Sequence, residues 1–196
     1  MAGEVKMSFS ENYINSSLIL KAMNYYSSIF TLKTVPLCVD EESIFHSIPQ
    51  DKRQYVIPQK RYNKDTGQFS YYVGSAEQSF IYLHKNGLIH NGYYSAITPC
   101  QRTESEDDLH LSIFLKMELI LIGAHRRDEL MKNSLLFFSS LGGKTEIIPS
   151  GNKPEEMDIL INGIEVGSYG VGYMPDNTPY TYGTGIAEPR CSFALR

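Results

Sequence analysis

The sequence predicts an α+β fold, a mainly antiparallel sheet flanked by helices. Three observations carry this expectation. Strand-like runs come in hairpin order, and Asn162-Gly163 between two apolar runs is the clearest tight-turn signal. Amphipathic helical stretches are inserted among the strands, the strongest over His125–Leu141. Strand and helix never alternate in the regular βαβ manner that a parallel sheet demands.

In chain order, residues 1–12 are polar and read as a frayed end. Asn15 or Ser16 caps a helix running to about Phe30, with Leu18, Ala22, Tyr25/Tyr26 and Ile29 at helical spacing. A strand over Leu32–Val39 follows with Pro36 inside it. A proline there belongs at an edge, a bulge or an interface, because it donates nothing to the ladder. Residues 40–68 are mixed, with Pro49, Pro58 and a Lys64-Asp-Thr-Gly67 turn signal, and are expected to hold short strands and loops. Phe69–Val73 reads as a strand, and Gly74-Ser-Ala-Glu-Gln78 opens a helix to about Lys85 that Asn86-Gly87 stops. Gly92–Arg102 and Leu111–Ile122 are strands around an acidic loop. The His125–Leu141 helix carries a stripe of Leu130, Met131, Leu135, Phe138 and Leu141, and Gly142-Gly143 ends it. Lys144–Ile148 is a strand, Met157–Gly167 a hairpin, 168–180 a polar loop, and Tyr182–Arg190 a Gly-rich approach to a short final helix, Cys191–Leu195.

A chain of 196 residues suits one domain, spanning 1–196, with a sizeable core. Hydrophobic residues make up 42%, and Tyr and Phe supply much of the bulk in the absence of Trp. A net charge of −4 argues against a basic surface built for nucleic acid. No apolar run is long enough for a bilayer, and the N-terminus lacks a signal-peptide core. Cys38, Cys100 and Cys191 are odd in number and form no Cys-x-x-Cys pair, which suits a reducing cytoplasm and not a disulfide framework or zinc knuckle.

Chemistry concentrates at 98–118. Arg102 and Glu104 leave one strand, and His110 and Phe114 enter the next. A guanidinium that meets phosphate as a planar fork, a carboxylate and an aromatic face together suit a nucleotide. Lys116 and Glu118 alternate with Phe114 and look to the same side of the strand. Each residue also has a plainer use. Arg102 and Glu104 make a surface salt pair, Phe114 fills core, Lys116 and Glu118 form an ion pair, and Asp158 and Glu165 are surface acids beside a turn.

Taken together, these segments resemble the catalytic core of class II aminoacyl-tRNA synthetases over roughly residues 15–196. The helix and the strand with Pro36 look like that family's first motif, which implies a homodimer interface there. Arg102-x-Glu104, an acidic loop and His110-x-x-x-Phe114 look like the second, and Gly183-x-Gly-x-x-x-x-Arg190 is similar to the third. Asp158-Ile-Leu-Ile-Asn-Gly-Ile-Glu-Val-Gly-Ser168 resembles a hairpin of the aspartate/asparagine/lysine branch, and Gly74–Gln78 that branch's substrate-contacting turn. The resemblance implies activation of an amino acid by ATP to an aminoacyl-adenylate. Arg102 would grip the α-phosphate and the attacking carboxylate, and Arg190 the γ-phosphate. Phe114 would stack beneath adenine, Glu104 would take its amino group, and His110 would touch phosphate. Asp158 and Glu165 would hold Mg2+. Ser75, Glu77, Lys116, Glu118, Gly167 and Ser168 would face the amino acid.

The sequence also departs from that branch. Gly172 stands where aspartate enzymes carry an Arg that clamps the substrate's side-chain carboxylate, so aspartate is a poor expectation. Glu77 stands in the substrate turn and favours an amine or amide. Pro189 sits where the third motif's helix starts, a position that tolerates it. An anticodon-binding domain does not fit in the length, and neither length nor charge supports tRNA. The expectation is therefore a minimal stand-alone core, similar to ammonia-dependent asparagine synthetase. An enzyme acting on tRNA with a partner, or an inactive regulatory paralogue, is the alternative.

Overall fold

The computed structural model describes residues 14–50, 53, 60–65, 67–103, 111–150 and 155–196. The N-terminal stretch 1–12, the acidic loop with Glu104, and His110 fall outside these residues.

The first helix, α1 (Ser16–Tyr26), begins where Asn15 accepts hydrogen bonds from the Ser17 and Leu18 amides at 3.1 and 3.3 Å. Its buried face is Leu18, Ile19, Ala22 and Tyr26. The expected strand over Leu32–Val39 is instead two pieces in two sheets. β1 (Thr31–Leu32) pairs in parallel with β5 (Gly92–Gln101), and β2 (Cys38–Val39) pairs with β4 (Gln68–Tyr72). Pro36 lies in the crossing between them, where its carbonyl accepts from Ser79 Oγ at 2.7 Å and its missing N–H costs no ladder bond. A helix not anticipated from sequence, α2 (Glu41–His46), starts at Asp40, whose carboxylate takes the Ser43 amide at 2.8 Å.

β3 (Lys60–Asn63) completes a three-stranded sheet in the order β2-β4-β3. α3 (Ala76–Lys85) is held by the capping box of Ser75 and Gln78. β6 (Ile113–Ile122) then returns antiparallel along β5, and α4 (Arg127–Leu141) follows. The remaining strands are β7 (Thr145–Pro149), β8 (Met157–Ile161), β9 (Ile164–Tyr173) and β10 (Pro179–Glu188), with α5 (Arg190–Ala194) last. The large sheet runs β1-β5-β6-β10-β9-β8-β7, and β1 with β5 is the parallel pair among the described residues. An α+β fold with a mostly antiparallel sheet is thus what the chain forms.

The stretch expected as a polar loop at 168–180, and the Gly-rich approach after it, are largely the strands β9 and β10. The reason is an exchange of glycine for tyrosine across the ladder. Gly172 pairs with Tyr180 and Gly170 with Tyr182, and a side chain at Gly172 would meet the Tyr180 ring at 2.7 Å. Glycine in a strand here marks close approach by a neighbouring ring, not a loop.

One face of the sheet packs on α1, α4 and α5 through a core that includes Tyr26, Leu119, Phe138, Ile159 and Tyr169. On the other face, α3 covers Ala96, Ile120, Ile122 and Tyr180. Beyond the N-terminal end of α3 no helix of the described residues covers that second face, and the site lies there.

Candidate active site

A cavity of about 380 Å3 opens over this uncovered part of the sheet. Arg102, at the end of β5, and Phe114, on β6, share one end of it. The guanidinium lies 5.1 Å from the centre of the Phe114 ring, and its Nε donates to the Gly74 carbonyl at 3.3 Å. Arg190, the first residue of α5, also lines the cavity and donates from Nη1 to Glu165 Oε1 at 3.1 Å. Two guanidinium groups therefore border one cavity beside an aromatic face.

The other end is acidic. Glu118, fully buried, is ion-paired through Oε2 to Lys116 Nζ at 2.7 Å, and the Ser75 hydroxyl donates to the same oxygen. Its second oxygen, Oε1, is buried without a hydrogen-bond partner. Glu77, in the first turn of α3, accepts from the Tyr180 hydroxyl at 2.7 Å. Burial, reinforced by the charge of Glu118, pushes the Glu77 carboxyl up to about 7. Glu156 accepts from the Tyr182 hydroxyl at 2.8 Å. Both tyrosine hydroxyls are held far above their ordinary range, by burial first and the Glu77 charge next, so they remain proton donors.

A polar row crosses the sheet beneath the cavity. Glu118 on β6 stands opposite Thr184 on β10, Thr184 Oγ1 accepts from the Ser168 amide of β9 at 3.4 Å, and Ser168 stands opposite Asp158 on β8. Asp158 is buried, and its Oδ1 has no hydrogen-bond partner. Glu188, also fully buried, accepts from the Asn15 and Ser192 amides, both at 3.1 Å, and joins the start of α1 to α5 at the cavity wall.

Of the residues singled out from sequence, Ser75, Glu77, Arg102, Phe114, Lys116, Glu165, Ser168 and Arg190 line the cavity. Glu118 lies under it, bonded to two of them. Asp158 sits at the far end of the polar row. Gly167 is turned to the opposite face, where Tyr169 Oη lies 2.7 Å from the place a side chain would occupy. Glu104 and His110 lie outside the described residues. Glu156, Tyr182, Thr184 and Glu188 also line the cavity and were not anticipated. For Tyr182 and Thr184 the signal was the alternation of Tyr180, Tyr182 and Thr184, which has strand period but was masked by Gly183 and Gly185.

Among the described residues, no three His, Cys, Asp or Glu side chains gather as a metal site. Asp158 nonetheless keeps a buried carboxylate oxygen unmatched, and Glu165 borders the cavity. Hard oxygens of this kind, completed by water and phosphate, suit magnesium.

Glu77 supplies a pH test. Its carboxyl ordinarily titrates at 4.5 and here at about 7. The protonated form is the one folding favours, so the contribution of Glu77 is full below pH 4.5 and falls away as pH rises through 7. Chemical denaturation across this range should show wild type losing about 3 kcal/mol relative to Glu77→Gln. Parallel pH curves for the two proteins would refute the assignment.

No family model matches the sequence, and no curated protein matches it either. Solved structures do resemble the fold. The cytoplasmic serine-tRNA ligase of Naegleria fowleri, in complex with AMP, aligns with a TM-score of 0.71 at 14% identity over 93% of this chain and 49% of its own. The seryl-tRNA synthetase of Pyrococcus horikoshii, complexed with ATP, aligns with a TM-score of 0.71 at 16% identity over 92% of this chain and 49% of its own. The pyrrolysyl-tRNA synthetase PylSc of Desulfitobacterium hafniense gives a TM-score of 0.65 at 14% identity over 86% of this chain and 63% of its own. The chain thus spans about half the length of the seryl proteins and under two-thirds of the pyrrolysyl one. At these identities the likeness is one of architecture, and the architecture is that of a class II aminoacyl-tRNA synthetase core.

Proposed function

We propose that the chain is a catalytic domain that activates an amino acid with ATP, forming the aminoacyl-adenylate and releasing pyrophosphate. One observation carries the reading. Within this architecture, Arg102, Phe114 and Arg190 border the same cavity as Ser75, Glu77 and Lys116. The hairpin at 158–168 supports placing the chain nearest the aspartate/asparagine/lysine branch.

The reaction needs little acid–base chemistry. The substrate carboxylate attacks the α-phosphorus, a new C(O)–O–P linkage forms, and the bond to pyrophosphate breaks. The site must align the two anions and hold the charge that builds on phosphate. Arg102 bridges the α-phosphate and the incoming carboxylate, and Arg190 holds the distal phosphates. Phe114 offers adenine a ring face. Glu77, about half ionised near neutrality, and Glu118, paired with Lys116 and with a second oxygen left over, receive the substrate's ammonium group. Asp158 and Glu165 would hold Mg2+, which supplies charge neutralisation for the phosphates. An ATP–pyrophosphate exchange assay over the twenty amino acids tests the reading. Exchange with none of them, with no ATP binding, would leave the inactive paralogue as the better account.

We also infer a homodimer. β1 is a two-residue strand at the end of the sheet, Leu32 within it and Ile29 and Leu37 near it in the chain are 49%, 38% and 46% exposed, and Leu20 on α1 is 57% exposed. Exposed apolar side chains together with a short, open sheet edge suit a second copy. Light scattering should give twice the 22.2 kDa chain mass, and Leu20→Asp with Leu32→Asp should return it to one chain. A monomeric wild type would end this inference. The three cysteines are free, as suits a cytoplasmic protein, and no helix among the described residues is long and apolar enough to cross a membrane.

A further inference from the structure

We propose that Tyr182, lying across Gly170, sets the size of the substrate, and that the acidic end of the cavity takes an amino acid whose side chain is short and carries a hydrogen-bond donor. The inference rests on the activation reading and narrows it to a substrate class. Tyr182 on β10 stands opposite Gly170 on β9. A side chain at Gly170 would fall 2.6 Å from ring carbon Cζ, so the ring occupies the space that β9 leaves empty. Its hydroxyl reaches Glu156, just before β8, at 2.8 Å. The ring thus crosses from β10 over β9 to the margin of β8, and it lines the cavity. Tyr180 lies the same way across Gly172 and is anchored on Glu77. The two ring centres are 6.1 Å apart, with planes inclined at 45°. A ring tied at its far end and flanked by a second one is a fixed wall.

The wall matters because the space is small. At about 380 Å3 the cavity is close to the lower bound for ligand sites, roughly 300 Å3, and the phosphates between Arg102 and Arg190 must share it. Little is left for a side chain, and what borders it is acidic. The donors at this end are already committed to carboxylates: Tyr182 to Glu156, Tyr180 to Glu77, and both Ser75 and Lys116 to Glu118. Acceptor capacity remains, and Oε1 of Glu118 is buried with no hydrogen-bond partner. Such a surface selects a ligand that donates. The α-ammonium takes one share of these acceptors and a side-chain donor another. A side-chain carboxylate would meet Glu77, Glu118 and Glu156 and be repelled. A long apolar side chain would offer no donor and run into the ring. A hydroxymethyl or aminomethyl group meets both conditions.

Thermal-shift titrations with single amino acids, without ATP, test the wall apart from catalysis. Serine and 2,3-diaminopropionate should raise the melting temperature of wild type, and leucine, phenylalanine and aspartate should not. Tyr182→Phe keeps the ring and should keep that order. Tyr182→Ala opens the wall and should improve binding of leucine and phenylalanine relative to serine by about tenfold to hundredfold. Tyr182→Val, whose branched side chain suits a strand, makes a similar opening should the alanine variant not fold. In ATP–pyrophosphate exchange the same variants should change KM for the amino acid and leave KM for ATP alone, whereas a merely structural defect would impair both. Size-ordered binding without exchange would sink the activation reading and leave the wall standing. The proposal is overturned if wild type binds or activates leucine or phenylalanine as well as serine, if opening the wall leaves the order unchanged, or if neither short amino acid binds.

Discussion

Arg102→Ala should lower amino-acid-dependent ATP–pyrophosphate exchange by about a thousandfold while leaving the chain folded. The size follows from what the side chain meets. In the attack on the α-phosphorus, negative charge is shared between phosphate oxygens and the entering carboxylate, and a planar fork can hold both at once. Arg102 is prepared for this before substrate arrives. Its Nε is fixed by the Gly74 carbonyl at 3.3 Å, and its plane is supported by the Phe114 ring at 5.1 Å. Arg102→Lys keeps the charge but loses the fork and the support, and should recover only a small part of the activity. The folding cost of Arg102→Ala is about 1 kcal/mol, the worth of a partly exposed cation–π contact. Urea denaturation alongside the exchange assay separates the two effects. Near-normal exchange by a folded Arg102→Ala protein would show that the guanidinium does not act on the reacting phosphate.

Gly183→Ala should be the most damaging small substitution in the sheet, costing about 3 kcal/mol or more. A side chain at Gly183 would land in the ring of Tyr169, with Leu130 Cδ2 at 3.1 Å behind it. Tyr169 has no room to yield. It is fully buried, and its hydroxyl donates to the Thr184 carbonyl at 2.6 Å. Overpacking of a ring pinned at its far end must move a strand. Gly163 gives the control. Its φ is +82° but nothing lies within 4 Å, so Gly163→Ala meets only the backbone cost of about 1 kcal/mol. A shifted urea midpoint with an unchanged slope identifies the Gly183 effect as lost stability. Equal losses at Gly183 and Gly163 would contradict the packing argument.

The same glycines explain where sequence reasoning stopped. Local signals were readable where structure is local. Asn162-Gly163 turned as expected, with positive φ at both residues. Ser75 and Gln78 capped α3, and Gly142 and Gly143 closed α4. The second half of β9 and the strand β10 were missed because Gly170 and Gly172 are explained by Tyr182 and Tyr180, residues about ten positions away that become neighbours only in the ladder. The strand around Pro36 was misjudged because its two halves serve different sheets, a fact about topology that eight residues do not contain. α2 was overlooked because six residues show no helical period, although Asp40-Glu41-Glu42 is a capping signal. For the cavity, Arg102, Phe114 and Arg190 were legible through their motifs. Glu156 and Tyr182 were not, because their placement depends on a tyrosine leaning across a glycine.

The polar row beneath the cavity has a consequence for how the protein acquires function. Glu118, Thr184, Ser168 and Asp158 come from four strands and stand in one unbroken register, and the two register shifts, at Gly185 in β10 and Val166 in β9, fall just beyond the row. A one-residue slip of any of these strands would turn its member of the row into the opposite core. The row is therefore a vernier for the sheet, reading true at one setting only. A chain whose strands are paired but misregistered has no partial site to offer, so ligand affinity should rise in a single step with the last correct pairing and not gradually with the amount of sheet formed.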